Sequence, residues 1–446
     1  MLMSNLPSVR RPVPFRALSF TLRILEKAGL MRQPLGMEAL LAAARRQTGL
    51  DDFGDESFRE PLSRLLDSCQ NEAHLNTFGK CALTQDTLQL LINRLHIQRD
   101  RGQWPRIAEE AIIAPLFITG LPRTGTTLLH GLLAQDHELY YAPATWEVMF
   151  PSPPPSIGDN KRIKRAERRL AGFDWLAPEF RKIHPVSAHL PQECIAIMSH
   201  TFMSDQFPAM YDIPAYLAWL QHQDMQSVYQ YHGQFLQHLQ YGRPARHFVL
   251  KAPAHMLAIE ALFAIYPDAL VVQTHREPLE ILPSAASLTM VLRSIFSDFV
   301  DPAAIGGEMT KFWGDAMERF LDARKSLRAE AFVDIDYADL IGDPIGAVRR
   351  LYIQLGNNLS SEVELRMRAF LEAYPRAKHG QHSYTLAAFG MDPIEVNKRF
   401  SSYCTRFSHL SRDPKPEPSG PRDRVSTADP RSLFSEGRQM IHTNPG

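Results

Sequence analysis

The 446-residue chain is short of cysteine and has no excess of either charge. Its four cysteines, Cys69, Cys81, Cys194 and Cys404, lack C-x-x-C spacing. That pattern gives no disulfide framework and no zinc site, and leaves reduced thiols in a cytosolic setting as the expectation. Lysine plus arginine (49) equals aspartate plus glutamate (49), so the formal net charge is zero and no nucleic-acid partner is implied. No apolar run reaches the roughly 18–20 residues of a membrane span. Arg10-Arg11 is followed by Pro12, Pro14 and Arg16 rather than by an apolar segment, so no signal peptide is expected. A cytoplasmic protein with a sizeable core, in one domain or two, is the expectation.

The feature that organises the chain is the stretch Ala114–His130. Leu116-Phe117-Ile118 reads as a buried strand, Gly120–Gly125 as a turn and Thr126–Leu129 as a helix start. A strand, a loop and a helix N-terminus in that order converge backbone N–H groups and the helix dipole on an anion. The spacing of Gly120 and Gly125 is that of a P-loop, G-x-x-x-x-G-K-[ST]. Here too something is missing. Thr126 stands where the lysine belongs, and the cation is Arg123, inside the loop.

Residues 1–110 read as a helical region. Ala17–Leu25 carries an apolar stripe, with Arg23 and Lys27 on the other side, that faces a core or, alternatively, a membrane surface. Further helices are expected at Met37–Ala44, Asp55–Leu66 and Thr84–His96, the last capped by Thr84 or Asp86. Residues 111–400 read as an α/β domain. Apolar strands at His247–Leu250, Ala269–Thr274 and Ala331–Ile335 join the first strand. Helical patterns follow them at Met256–Ile265, Leu279–Leu292 and Pro344–Leu355. This alternation predicts a P-loop-like parallel sheet flanked by helices. Residues 173–240, rich in aromatic, Met, His and Gln side chains, read as a helical insertion that lines an acceptor pocket or merely packs. The basic run Lys161–Leu170 is either a solvated helix face or a guide for an anion. Residues 411–446, proline-rich and poor in apolar residues, read as a disordered tail.

A second anion patch follows the strand ending at Thr274. Arg276 can fork onto a phosphate, and Ser284, eight residues on, can hydrogen-bond the same group. Past another strand end stand Lys251 and His255.

Pro122–Thr127 taken with Arg276 and Ser284 resembles the sulfotransferase superfamily. Trp146-Glu147, Leu250-Lys251-x-Pro253-x-His255 and His382-x-Tyr384-x-Leu386-x-x-Phe389-Gly390 follow in order. They make residues 15–400 similar to its broad, mostly bacterial branch. The resemblance implies a donor, 3′-phosphoadenosine 5′-phosphosulfate (PAPS), and no metal. It places the 5′-phosphosulfate on Gly120, Arg123, Thr124, Gly125, Thr126 and Thr127. The 3′-phosphate falls to Arg276 and Ser284, with Lys378 and Tyr384 in a loop folded over it. Many relatives carry lysine at the position of Arg123; arginine is a poor proton donor and favours charge stabilisation.

Sulfuryl transfer is an in-line displacement in which an acceptor hydroxyl loses its proton. Glu147 ranks first as its base and His255 second, with Lys251 steadying the sulfuryl oxygens. Against these stand a glutamate merely flanking Trp146, a helix-capping histidine and a lysine paired to an acid. The implied acceptor is a small or lipid-like molecule, apolar in character, offering a hydroxyl or, second, an amine. Two rivals stay open. One is a P-loop kinase or NTPase using an acid of Phe332–Asp336 for metal; the other is a non-catalytic nucleotide-binding scaffold.

Overall fold

The strands are Leu116–Thr119 (β1), Tyr140–Tyr141 (β2), His247–Lys251 (β3), Leu270–His275 (β4) and Phe332–Asp336 (β5). All pair in parallel, in the order β2-β3-β1-β4-β5. This computed structural model describes residues 36–155, 159–176, 187–244, 246–374 and 385–408, with four isolated positions before them. The described residues fall in one unit that ends at Ser411. Apolar side chains alternate between the faces of the sheet, as the two-residue repeat of a strand requires. Phe117, Leu250, Val271 and Phe332 enter a large core on one face. Leu116, Ile118, Val249, Val272 and Ile335 enter a smaller one on the other. Crossover helices cover both faces, which explains why the inner strands β1, β3 and β4 have no solvent-facing side.

Met37–Thr48 (α1), Arg59–Asn71 (α2) and Thr77–Gln103 (α3) pack their apolar stripes into the large core. The α3 helix begins earlier than the sequence suggests. Asn76 caps it by accepting the Gly79 N–H at 2.8 Å. Thr84 lies within the helix, its hydroxyl donating back to Lys80 O at 2.8 Å, and Asp86 pairs with Arg169. Gly79 blurs the apolar period, yet the packing requires it: a Cβ there would lie 2.1 Å from Phe296 O.

Thr126–Leu133 (α4) follows β1, and Thr145–Met149 (α5) and Asn160–Leu176 (α6) follow β2. The basic face of α6 is largely exposed, with Lys161, Arg165, Arg168 and Arg169 all on the surface, and Arg162 anchors the helix. Arg162 donates to Phe150 O at 2.9 Å and lies 5.2 Å from the Trp146 ring, and Arg165 lies 4.2 Å from Phe150. The insertion contributes Cys194–Met198 (α7), Gln206–Met210 (α8), Pro214–Leu220 (α9) and Gln226–Gln240 (α10). Ile259–Ile265 (α11) follows β3. Pro278–Phe296 (α12) and Pro302–Ser326 (α13) follow β4, and Tyr337–Gly342 (α14) and Pro344–Gln354 (α15) follow β5. The α12 helix is long and apolar enough to cross a membrane, but 67% of its most apolar window is buried in the fold. It is a core helix by placement. Of the expected Ala17–Leu25 stripe only Thr21, Leu22 and Ile24 are described, as helix, and the 411–446 tail lies outside the described residues.

Candidate active site

The central strand β1 has β3 on one side and β4 on the other, so the chain leaves it at the switch point of the sheet. The loop there, Gly120–Gly125, is pressed against β4. Gly120 has φ 141°, and a Cβ on it would lie 2.5 Å from Thr274 O. Thr124 is buried; its hydroxyl donates to Leu121 O at 2.7 Å and meets Thr274 Oγ1 at 2.6 Å. Gly125, at φ 91°, then turns the chain into α4. The first-turn N–H groups of a helix have no partner within the helix and point out of its N-terminus.

Side chains from three strand ends meet at this loop. Arg123, itself at φ 70°, donates from Nε to Ser284 Oγ at 3.2 Å. Arg276 donates from Nη1 to Arg123 O at 3.2 Å and from Nε to Glu280 at 2.9 Å, with its plane 4.2 Å from the Tyr337 ring. On the β3 side, Lys251 is buried and donates to Thr127 Oγ1 at 3.2 Å while forming an ion pair with Glu193. The two patches that the sequence keeps apart therefore form one cationic surface.

A cavity of about 340 Å³ opens beside it. Pro122, Arg123, Thr126, Thr127 and Lys251 form its polar end. Leu217 and α12–α13 side chains, among them Leu288, Phe312 and Trp313, form an apolar wall. The insertion supplies Glu193, Ile195, Asp205 and Met210. A loop at a helix N-terminus next to an apolar chamber suits transfer of an anionic group to an apolar molecule.

A sequence model of the sulfotransferase family matches residues 115–361. The chain belongs to that family. Among solved structures, sulfotransferase STF1 from Mycobacterium tuberculosis has a TM-score of 0.75 and 33% identity, covering 83% of this chain and 100% of that one. STF9 from Mycobacterium avium has a TM-score of 0.74 and 27% identity, covering 83% and 96%. The omega-hydroxy-beta-dihydromenaquinone-9 sulfotransferase Stf3 of Mycobacterium bovis is 25% identical over 334 residues, 71% of this chain and 82% of Stf3.

Within this sulfotransferase, Glu147 and His255 do not line the cavity. Glu147 is buried in α5, where Oε2 accepts the Ala144 N–H at 2.7 Å and Oε1 pairs with Arg243 at 2.8 Å. Its carboxylate closes a turn and neutralises an arginine. His255 lies inside the large core, with Nδ1 2.8 Å from Tyr229 OH and its ring 4.8 Å from that of Phe117. Burial, with His232 and Lys251 nearby, pushes its pKa well below the usual range, so the ring is neutral and sealed away. The acids offered to the kinase rival are occupied too. Asp334 binds Arg324 at 2.7 Å and His275 at 2.8 Å, and Asp336 caps α14 through Ala338 N. Lys378 and Tyr384 lie outside the described residues. Glu193 and Asp205 escape the sequence reading because they sit in the insertion without a spaced motif. Asp205 carries one local signal, an acid at a helix start whose neighbour Ser204 does the capping.

Proposed function

We propose that this sulfotransferase moves a sulfuryl group from PAPS to a hydroxyl on a small, apolar or lipid-like acceptor. The observation that carries the reading is the meeting of Arg123, Arg276 and Ser284 at the loop, with the apolar cavity against the same surface. Gly120, Thr124, Gly125, Thr126 and Thr127 would shape and line the 5′-phosphosulfate cradle, with Thr124 acting as a brace through Thr274. Arg276 and Ser284 would take the 3′-phosphate. Charge that develops on the transferred group and on the leaving phosphate oxygen would be met by backbone N–H groups, Arg123 and Lys251. Arg123 keeps its proton and acts by charge and geometry.

Stf3, as its name states, acts on a hydroxylated menaquinone. A hydroxylated lipid is accordingly the first acceptor class to test against the cavity. Calorimetric titration with 3′-phosphoadenosine 5′-phosphate and with Mg-ATP tests the donor. Binding of the bisphosphate and not of Mg-ATP is expected; the reverse would sink the PAPS reading in favour of a kinase.

A further inference from the structure

The cavity holds a carboxyl group with no task in the fold. Asp205 is the N-cap residue of α8, a position where an aspartate ordinarily accepts a first-turn N–H. Its side chain makes no capping bond, and the Gln206 N–H goes to Ser204 Oγ at 3.2 Å. Its Oδ1 is buried with no hydrogen-bond partner among the described residues. A buried polar atom left in that state asks for an explanation, and in a cavity wall a catalytic role supplies one.

Asp205 borders the same cavity as Arg123, Thr127 and Lys251. A chain of neighbours ties it to the loop. Thr127 accepts from Lys251, Lys251 pairs with Glu193, and the charge of Glu193 acts on Asp205. Glu193 is already engaged by the Lys251 ammonium. Asp205 is the acid on that wall without such a counter-ion.

We propose that Asp205 is the general base that takes the acceptor's proton, an assignment that rests on the PAPS reading above. A lone pair on the acceptor oxygen forms the new S–O bond. The S–O bond to the 5′-phosphate breaks, and its electron pair leaves on the bisphosphate. The hydroxyl proton passes to a carboxylate oxygen of Asp205. Burial, reinforced by Glu193, pushes this carboxyl up to about 7, close to the operating range of a good base. The groups facing it are Glu193, Tyr216 and Tyr229, with Lys251 and Glu308 elsewhere in the cavity wall and Arg319 in the small pocket beyond. Burial raises both tyrosines, which stay neutral while Asp205 titrates.

The test compares wild-type and Asp205→Asn protein with PAPS as donor and two acceptors of different acidity. The hydroxyl of 1-decanol needs a base, whereas a substantial fraction of 4-nitrophenol is already ionised at neutral pH. The substitution is expected to lower transfer to 1-decanol by about 10²-fold or more and to 4-nitrophenol by less than about threefold. Bisphosphate affinity measured by calorimetry stays unchanged, and the low-pH limb of the decanol profile disappears. Equal losses on the two acceptors, or retained decanol transfer, would overturn the assignment. If the variant does not fold, or neither probe is turned over, carboxyl-carbon NMR of aspartate-labelled wild type decides. A carboxyl resonance assigned to Asp205 that titrates near 7 supports the base; an Asp205 carboxyl that titrates below about 5 overturns it. Wild-type protein that fails to bind the bisphosphate overturns the PAPS reading instead, and the base role with it.

Discussion

Arg276 is held on three sides before any ligand arrives, by Glu280, by Arg123 O and by the Tyr337 ring. A guanidinium fixed in that way loses little freedom on meeting a phosphate. Arg276→Ala should weaken the 3′,5′-bisphosphate by about 10–100-fold, the worth of roughly 1.5–3 kcal/mol for a charged hydrogen bond. Adenosine 5′-phosphosulfate, which lacks the 3′-phosphate, should lose less than about threefold. Equal losses in the two titrations would remove Arg276 from its assigned phosphate. For Glu147 the expectation concerns stability. Glu147→Gln breaks the pair with Arg243 and should cost about 1–3 kcal/mol in thermal unfolding, with turnover per folded molecule nearly intact. Loss of turnover without loss of stability would return Glu147 to the chemistry. That Arg123, Arg276 and Ser284 follow strand ends was legible in the sequence, because the apolar pattern marks each strand; that Arg123 touches the other two was not, since the spacing gives two separate anion patches. The cavity acids were not, since Asp205 and Glu193 reach it from an insertion whose path depends on packing.

The elements that could be read from the sequence are those whose local pattern and tertiary role agree. The strands β1, β3 and β4 are apolar runs buried on both faces, β5 is a half-buried edge strand, and the expected positions of all four hold to within a residue or two at either end. The edge strand β2 is two residues long, too short to leave a period, and exists through pairing with His247 and Phe248. The start of α3 was obscured because Gly79 serves contact with Phe296 rather than helix propensity. Gly120 makes the same point at the active site, where a backbone constraint is visible as a motif. Gly120→Ala would put a Cβ 2.5 Å from Thr274 O on a residue at φ 141°. The loop must then lift off β4, at about 1–3 kcal/mol of strain. We expect a lower melting temperature and bisphosphate affinity reduced by at least about tenfold. An alanine variant with both values unchanged would show that the loop does not need this close approach.

Across the molecule, several buried histidines are enclosed in their neutral forms, and this sets how stability responds to pH. Burial holds His130 and His232 at about 3 and His200 at about 4, against 6.5 for an ordinary histidine. In each the folded value is depressed, so the unfolded chain binds the proton first as pH falls. Their stabilising contribution is present above about 6.5 and is lost on acidification, by about 2 kcal/mol per histidine at pH 5. Asp205 runs the opposite way. Its raised carboxyl takes up a proton in the folded state between about 7 and 4, which offsets about as much as one histidine loses. The net expectation is a melting temperature clearly lower at pH 5 than at pH 7.5. His200 offers a discriminating variant, because Asn93 meets its Nε2 at 3.1 Å and Nδ1 faces Ile197 O at 3.0 Å. Glutamine can supply one acceptor and one donor there without titrating, so His200→Gln should narrow the gap between the two pH values. Wild-type protein that melts equally at both, or a variant with an unchanged gap, would show that these rings do not stay neutral in the fold.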